Sequence, residues 1–308
     1  MSTSSSSPSE QQDAFSELEH TNWQRGVDAY SNGFGPLTSQ TVPTLLDCAG
    51  FAPNNEDSHS LLDVACGPGQ VVEAAIARAK ESSPTNPQAA AYTALDFSSN
   101  FLNLAKINLN RSHPEVDVAF VEGDAQKLSS VFAPNTFDSI TCNFGILHLA
   151  DPDAFLVESF KILKPGGRLA FTAWSAPPVT EGFDLILGTV KDVGNPNVKL
   201  PEGPPFFRFS DPEEIKRSLD AAGFSDVKTK VVESMEWTNI ETSDDLYTVL
   251  LEGTARTREL LKGQTPAETE AIQAELRHRF EAMCYNEVNK ERRPLRMPAV
   301  VSSGQKPL

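Results

Sequence analysis

Asp63-Val64-Ala65-Cys66-Gly67-Pro68-Gly69-Gln70 is the stretch from which the fold can be read. Residues 60–65 are a short apolar run that predicts a strand, and Cys66 to Gly69 read as a glycine turn. Residues 71–80 place Val72, Ala75, Ile76 and Ala79 at helical spacing. Glycine behind a buried strand lets the backbone pass close beneath a ligand, and the N-terminus of the next helix offers unpaired N–H groups. Alone, such a turn also serves geometry with no ligand at all. Its meaning depends on what the neighbouring strands carry.

Outward from this turn the pattern alternates. Residues 90–95 predict a second strand ending at Asp96, and 98–110 a helix capped by Ser98 or Ser99. A third strand over 116–121 runs into Glu122-Gly123-Asp124-Ala125, and a fourth spans 137–144. A helix over 152–163 closes at Lys164-Pro165-Gly166-Gly167, and 168–174 is a fifth strand. Strands alternating with helices imply parallel βαβ units, hence an α/β fold with a doubly wound, mostly parallel sheet.

Upstream, residues 1–12 are Ser-rich and polar and read as a disordered tail. A helix over 17–30 carries Trp23, Val27 and Tyr30, residues 32–36 form a glycine loop, and 38–49 a second helix. Downstream, residues 176–205 are rich in Pro and Gly and read as a lid insertion. Then come a helix from 210–213 to Ala222 stopped by Gly223, a strand over 227–237, helices over 243–253 and 266–289, and a last strand over 296–302. No linker divides the chain. The expectation is one domain over 13–308, with a binding core at 55–175 and the elements at 176–308 shaping a substrate pocket.

Each acid at a strand end has an ordinary reading as a cap or a solvated loop residue. Together they say more. Asp96 ends the second strand, where a carboxylate can accept both hydroxyls of a ribose, and Asp124 follows the third at a height suited to an adenine amino group. A glycine turn, an acid and an acid on three successive strand ends describe a nucleoside site at one edge of the sheet.

With these residues in place the chain resembles a known family. Residues 63–69, Leu95-Asp96, 122–125 and Leu163-Lys164-Pro165-Gly166-Gly167-Arg168-Leu169 look like the ordered motifs of class I S-adenosylmethionine-dependent methyltransferases. The likeness is greatest to the ubiquinone/menaquinone-biosynthesis group of small-molecule enzymes. It covers 61–175 well and 206–237 moderately, and it is specific for fold and cofactor rather than for the methyl acceptor. It implies a seven-stranded sheet with one antiparallel strand and S-adenosyl-L-methionine as cofactor. Gly67 and Gly69 would line its methionine and ribose part, with Asp63 holding the loop and the amino end. Asp96 would bind the ribose, Phe97 would pack beside adenine, and Asp124 with Ala125 would meet the adenine edge. Asn143 would lie beneath the cofactor near the sulfonium.

Sulfonium chemistry asks little of the protein, because the leaving group departs neutral and alignment of the acceptor does most of the work. An oxygen acceptor also needs a base. His148, just past the fourth strand, is the candidate, which ranks oxygen ahead of nitrogen or sulfur; a histidine that merely packs the loop is the plainer reading. Tyr30, before the glycine loop, is expected to close over the sulfonium by cation–π attraction. Trp174, Phe206 and Phe207 are candidates for the acceptor pocket. The third position of a dinucleotide-binding G-x-G-x-x-G pattern is Val72, which weighs against a nicotinamide-dependent oxidoreductase. The other alternative keeps the cofactor pocket without methyl transfer, as a catalyst of rearrangement or an interaction subunit.

The 308 residues carry a net charge of −16, from 26 Lys+Arg against 42 Asp+Glu. Such a surface repels phosphate backbones and anionic lipid, so neither nucleic acid nor membrane is an expected partner. A small-molecule acceptor, uncharged and from a biosynthetic or secondary-metabolite pathway, is the expectation. Cys48, Cys66, Cys142 and Cys284 are widely spaced, as are the five histidines, so no metal site is expected. The N-terminus lacks the basic start and apolar core of a signal peptide, so a cytoplasmic location is expected. Arg292, Arg293 and Arg296 read as part of a solvated turn before the last strand.

Overall fold

The computed structural model describes residues 7–52, 59–82, 90–286 and 291–308. The chain forms two compact units, each assembled from separated segments. A sheet unit takes Thr38–Trp174, Pro204–Val232 and Ala299–Leu308, and a helical unit takes Met1–Leu37, Ser175–Gly203 and Glu233–Pro298.

Seven strands make the main sheet: β1 (His59–Val64), β2 (Ala90–Asp96), β3 (Val118–Glu122), β4 (Phe137–Cys142), β5 (Leu163–Trp174), β6 (Ser225–Val232) and β7 (Ala299–Gln305). Their order is β3-β2-β1-β4-β5-β7-β6. Strands β1 to β5 pair in parallel, and β7 runs antiparallel between β5 and β6. This is the expected doubly wound sheet with one reversed strand. Its centre is covered on both faces, so the last four residues of β1 and the last six of β5 are buried without alternation. Helix Gln70–Ser82 lays Val71, Val72, Ala75, Ile76 and Ala79 into that core. Helix Ser99–Ser112 starts where the Ser98 hydroxyl accepts the Phe101 N–H at 3.3 Å. Asp151 and Asp211 cap helices Pro152–Ile162 and Pro212–Ala221 in the same manner.

In the helical unit the sequence reading needs correction. Residues 7–12 are not a tail: helix Pro8–Arg25 begins there, with Ser7 and Glu10 forming a reciprocal capping box and Pro8 in the first turn. Residues 1–6 lie outside the described part. The expected loop at 32–36 is helical as well. Helix Val27–Gly33 runs directly into a turn at Gly35–Thr38, and the buried Gly33 carbonyl accepts the Trp237 indole N–H at 2.9 Å. The 176–205 insertion contains helix Glu181–Val193, which buries Phe183, Leu185, Ile186 and Val190 and packs on helix Pro266–Cys284. That second helix was expected to reach 289. It stops at Cys284, because Tyr285–Asn286 turn extended and pair with Glu291–Arg292; residues 287–289 are not among those described.

Two predicted strands each divide. The strand expected over 227–237 is β6 plus a separate Glu236–Trp237 pair, bonded to Leu295–Arg296 within the helical unit. The last strand begins at Ala299 rather than at 296, since Pro298 has no N–H for a ladder. The expected boundary near 175 is where the chain leaves the sheet unit, but 204–232 and 299–308 return to it. Arg293 and Arg296 are not merely solvated: both bind the buried Glu181 carboxylate, Arg293 through two nitrogens at 2.7 and 3.0 Å.

Candidate functional site at the carboxyl edge

Because β1 to β4 are parallel, their carboxyl ends share one edge, and the turns that leave them are stitched together by backbone bonds. Cys66 N–H donates to Leu95 O, and Gly123 N–H donates to Asp96 O, both at 3.0 Å. The Asp96 carboxylate, itself buried, accepts the Gly67 N–H on one oxygen and the Ser98 N–H on the other, each at 2.9 Å. The three motifs that the sequence set in order are therefore one connected structure.

Register fixes which side chains face each other. Asp63 lies opposite Thr141 on β4 and opposite Ala94 on β2, and Asp96 is two residues beyond Ala94, so all three polar side chains share a face. Thr141 Oγ1 donates to Asp63 Oδ1 at 2.8 Å. Asp63 Oδ2 is buried and has no hydrogen-bond partner among the described residues. Burial, with the Asp96 charge adding to it, pushes the Asp63 carboxyl up to about 8. Burial also holds the Cys66 and Cys142 thiols well above their usual range, and the nearby carboxylates add to this.

Gly67 and Gly69 both sit at positive φ, +52° and +91°. They differ in what surrounds them. A side chain on Gly67 would meet only Phe101 at 4.0 Å, which leaves room beside the turn. One on Gly69 would press on Leu109 and Ala105 at 3.2 and 3.3 Å. Gly69 thus packs closely against helix Ser99–Ser112 on the side where a side chain would project. Ala65 in the same turn is also left-handed, φ +54°, and its methyl lies over Gly145, where a side chain would come within 2.5 Å of it.

Asp124 is the cap of the turn at Ala125–Ser130: one oxygen accepts the Gln126 N–H at 2.8 Å and the Gln126 amide at 3.0 Å. Ala125 is buried beside it, and Phe97 is half-buried just past β2. Asn143, expected beneath the cofactor, has its amide held by one backbone carbonyl and one hydroxyl. It donates to Thr38 O at 3.0 Å and accepts from Thr41 Oγ1 at 2.9 Å, tying the end of β4 to the Thr38–Thr41 stretch. His148 ends the turn Gly145–His148, its ring 6.0 Å from Phe206 and edge-on to it. Phe144 and Trp174, at the ends of β4 and β5, stack at 4.1 Å. Tyr30 belongs to the helical unit, stacked on Phe34 and edge-on to Trp23. The glycine loop expected just after it, over 32–36, is helical.

Sequence reasoning missed Thr141, the donor to Asp63, and Thr38 and Thr41, which hold Asn143. Strand alternation could have found Thr141, but partners a hundred residues apart leave no local signal. The residues present fit S-adenosylmethionine. A buried carboxylate with an unused oxygen suits a cationic amino-acid end, and the open side of Gly67 admits close approach.

Known proteins resemble this chain over the same segment. A family model described as a methyltransferase domain matches residues 62–171. The ubiquinone/menaquinone biosynthesis C-methyltransferase of Serratia proteamaculans is 30% identical over 191 residues, 59% of this chain and 71% of that one. Its counterpart in Nitrobacter hamburgensis is 34% identical over 136 residues, 43% of this chain and 50% of the relative, so the match spans half that protein's length. Among solved structures, phosphoethanolamine N-methyltransferase 2 of Haemonchus contortus, in complex with S-adenosyl-L-methionine, superposes with a TM-score of 0.51 at 18% identity. That match covers 100% of this chain and 62% of the other, and it supports the fold. The chain belongs to the class I S-adenosylmethionine-dependent methyltransferases, within the group that includes the ubiquinone and menaquinone biosynthesis enzymes. S-adenosylmethionine is the cofactor of that family. No helix among the described residues is long and apolar enough to cross a membrane.

Proposed function

We propose that this chain methylates a small, uncharged metabolite bearing a phenol-like hydroxyl, either at that oxygen or at the ring carbon beside it. The observation that carries methyl transfer is the Gly67–Asp96–Asp63 assembly, an anionic, partly unsatisfied edge with open space at Gly67. The two named relatives are C-methyltransferases of quinone biosynthesis, which extends the oxygen-first ranking to carbon. Both outcomes need the same step, since removing the phenolic proton makes the oxygen and the neighbouring carbon nucleophilic together.

S-adenosylmethionine supplies an electrophilic methyl whose leaving group departs neutral. In this reading Asp96 holds the ribose, Phe97 flanks the adenine, and Asp124 with Ala125 borders its edge. Asn143 acts from behind by fixing the end of β4. His148 takes the acceptor proton, and Phe206 holds its ring edge-on.

The test is transfer from methyl-labelled cofactor to phenols, hydroquinones, amines and thiols, with the methylated atom located by NMR. Labelled phenols or hydroquinones are expected, together with a His148→Ala loss of turnover of roughly 100-fold that raised pH partly restores. Label found only on amines or thiols would overturn the acceptor class. Turnover of His148→Ala equal to the parent at every pH would remove the base.

A further inference from the structure

Asp63 is buried with one oxygen bonded to Thr141 Oγ1 and the other without a partner among the described residues. Of the titratable groups it faces, Asp96 on β2 raises its proton affinity, while Asp63 in turn acts on Cys66 in the turn and Cys142 on β4. Both thiols are neutral, so the one charge among these neighbours is a second carboxylate. Asp96 already accepts two backbone N–H groups, which stabilise its charged form. Among the described residues Asp63 has a single hydroxyl donor and no other partner to hold a negative charge. The pair therefore carries one charge, on Asp96, and one proton, on Asp63.

We infer that Asp63 is a proton-exchange site for the cofactor's amino-acid end: binding a ligand with an α-ammonium beside the unused Oδ2 expels the Asp63 proton to solvent. The inference rests on the cofactor reading above. In the balance, the neutral carboxyl loses its proton to buffer, the ligand keeps its own, and an ammonium–carboxylate pair replaces a neutral group beside a charged one. With the free carboxyl near 8, affinity rises about tenfold between pH 6 and pH 7, and above pH 8 loss of the ligand's own ammonium proton reverses the gain.

Calorimetry with S-adenosylhomocysteine in phosphate and in Tris, at equal pH, counts the protons released. About 0.9 proton per ligand is expected from Asp63 at pH 7 and about 0.5 at pH 8, less the fraction that the ligand's own amine takes up, which Asp63→Asn reports separately. Asp63→Asn should bind with no proton released at either pH. Thr141→Val keeps the carboxyl but removes its donor, so its release profile should move to higher pH, which keeps the inference testable if Asp63→Asn does not fold. Saturable binding with heats independent of the buffer would overturn the inference and leave the cofactor reading standing. The same release from Asp63→Asn, or an unmoved profile in Thr141→Val, would also overturn it. No saturable heat at millimolar ligand would overturn both.

Discussion

The backbone N–H of Gly67 donates to the Asp96 carboxylate at 2.9 Å, so the turn leaving β1 hangs from the end of β2. Asp96 thus shapes the turn, and in the proposed reading it also binds the ribose hydroxyls. Replacing Asp96 by alanine removes both effects. S-adenosylhomocysteine affinity should fall roughly 10- to 100-fold, the loss expected for charge-assisted hydrogen bonds. A dissociation constant within twofold of the parent would remove Asp96 from the site.

The two glycines of the turn should respond differently. Gly67→Val carries the strain of a left-handed residue at φ +52°, about 1–2 kcal/mol, but meets open space on the protein side. The fold should therefore survive while the added side chain occupies ligand space and binding is lost. Gly69→Val drives into Leu109 and Ala105 from a residue at φ +91°, and a cost of about 2–3 kcal/mol is expected. Melting temperature paired with a binding titration separates them. The distinction between ligand glycine and packing glycine fails if both variants melt alike.

Ala65→Gly tests strain in the same turn. A left-handed alanine costs about 1–2 kcal/mol, and glycine returns about 0.5–1 kcal/mol of that as chain entropy. A net gain near 0.5 kcal/mol is expected in urea unfolding. A lower midpoint would mean that the Ala65 methyl over Gly145 contributes more by packing than it costs by conformation.

Asp63 also ties stability to pH. Its folded-state proton affinity is raised from 3.8 to about 8, so the folded protein binds a proton there that the unfolded chain releases. The associated stability is full below about pH 4 and is lost as pH rises to about 8, with a slope of at most about 1.4 kcal/mol per unit. Ligand-free Asp63→Asn should lack this slope between pH 5 and pH 8. Parallel curves for parent and variant would place the titration elsewhere.

The strands around the site were legible because buried parallel strands are unbroken apolar runs that stop at glycine or aspartate. Leu61, Leu62 and Val64 show it before the turn, and Ala94 and Leu95 show it before Asp96. The helix at Glu181–Val193 was hidden by its surroundings, since Pro177, Pro178 and Gly194 set a loop-like composition around a well-patterned segment. Gly33 and Gly35 misled for a related reason: tertiary contact with Trp237 holds a helical turn that propensity alone disfavours. Within the site, Asp63, Gly67 and Asp96 were readable as types at strand ends. What each one touches was not, because Thr141 reaches Asp63 and Thr38 reaches Asn143 only after the sheet has assembled.

The place of β7 between β5 and β6 carries a consequence for synthesis on the ribosome. Until residues 299–305 emerge, β6 has no neighbour, and the outer backbone of β5 stays unpaired. A nascent chain stalled before that point would present an apolar, template-ready edge. The closing strand is thus also the chain's protection against self-association, and truncation ahead of Ala299 should yield aggregates rather than a smaller folded protein.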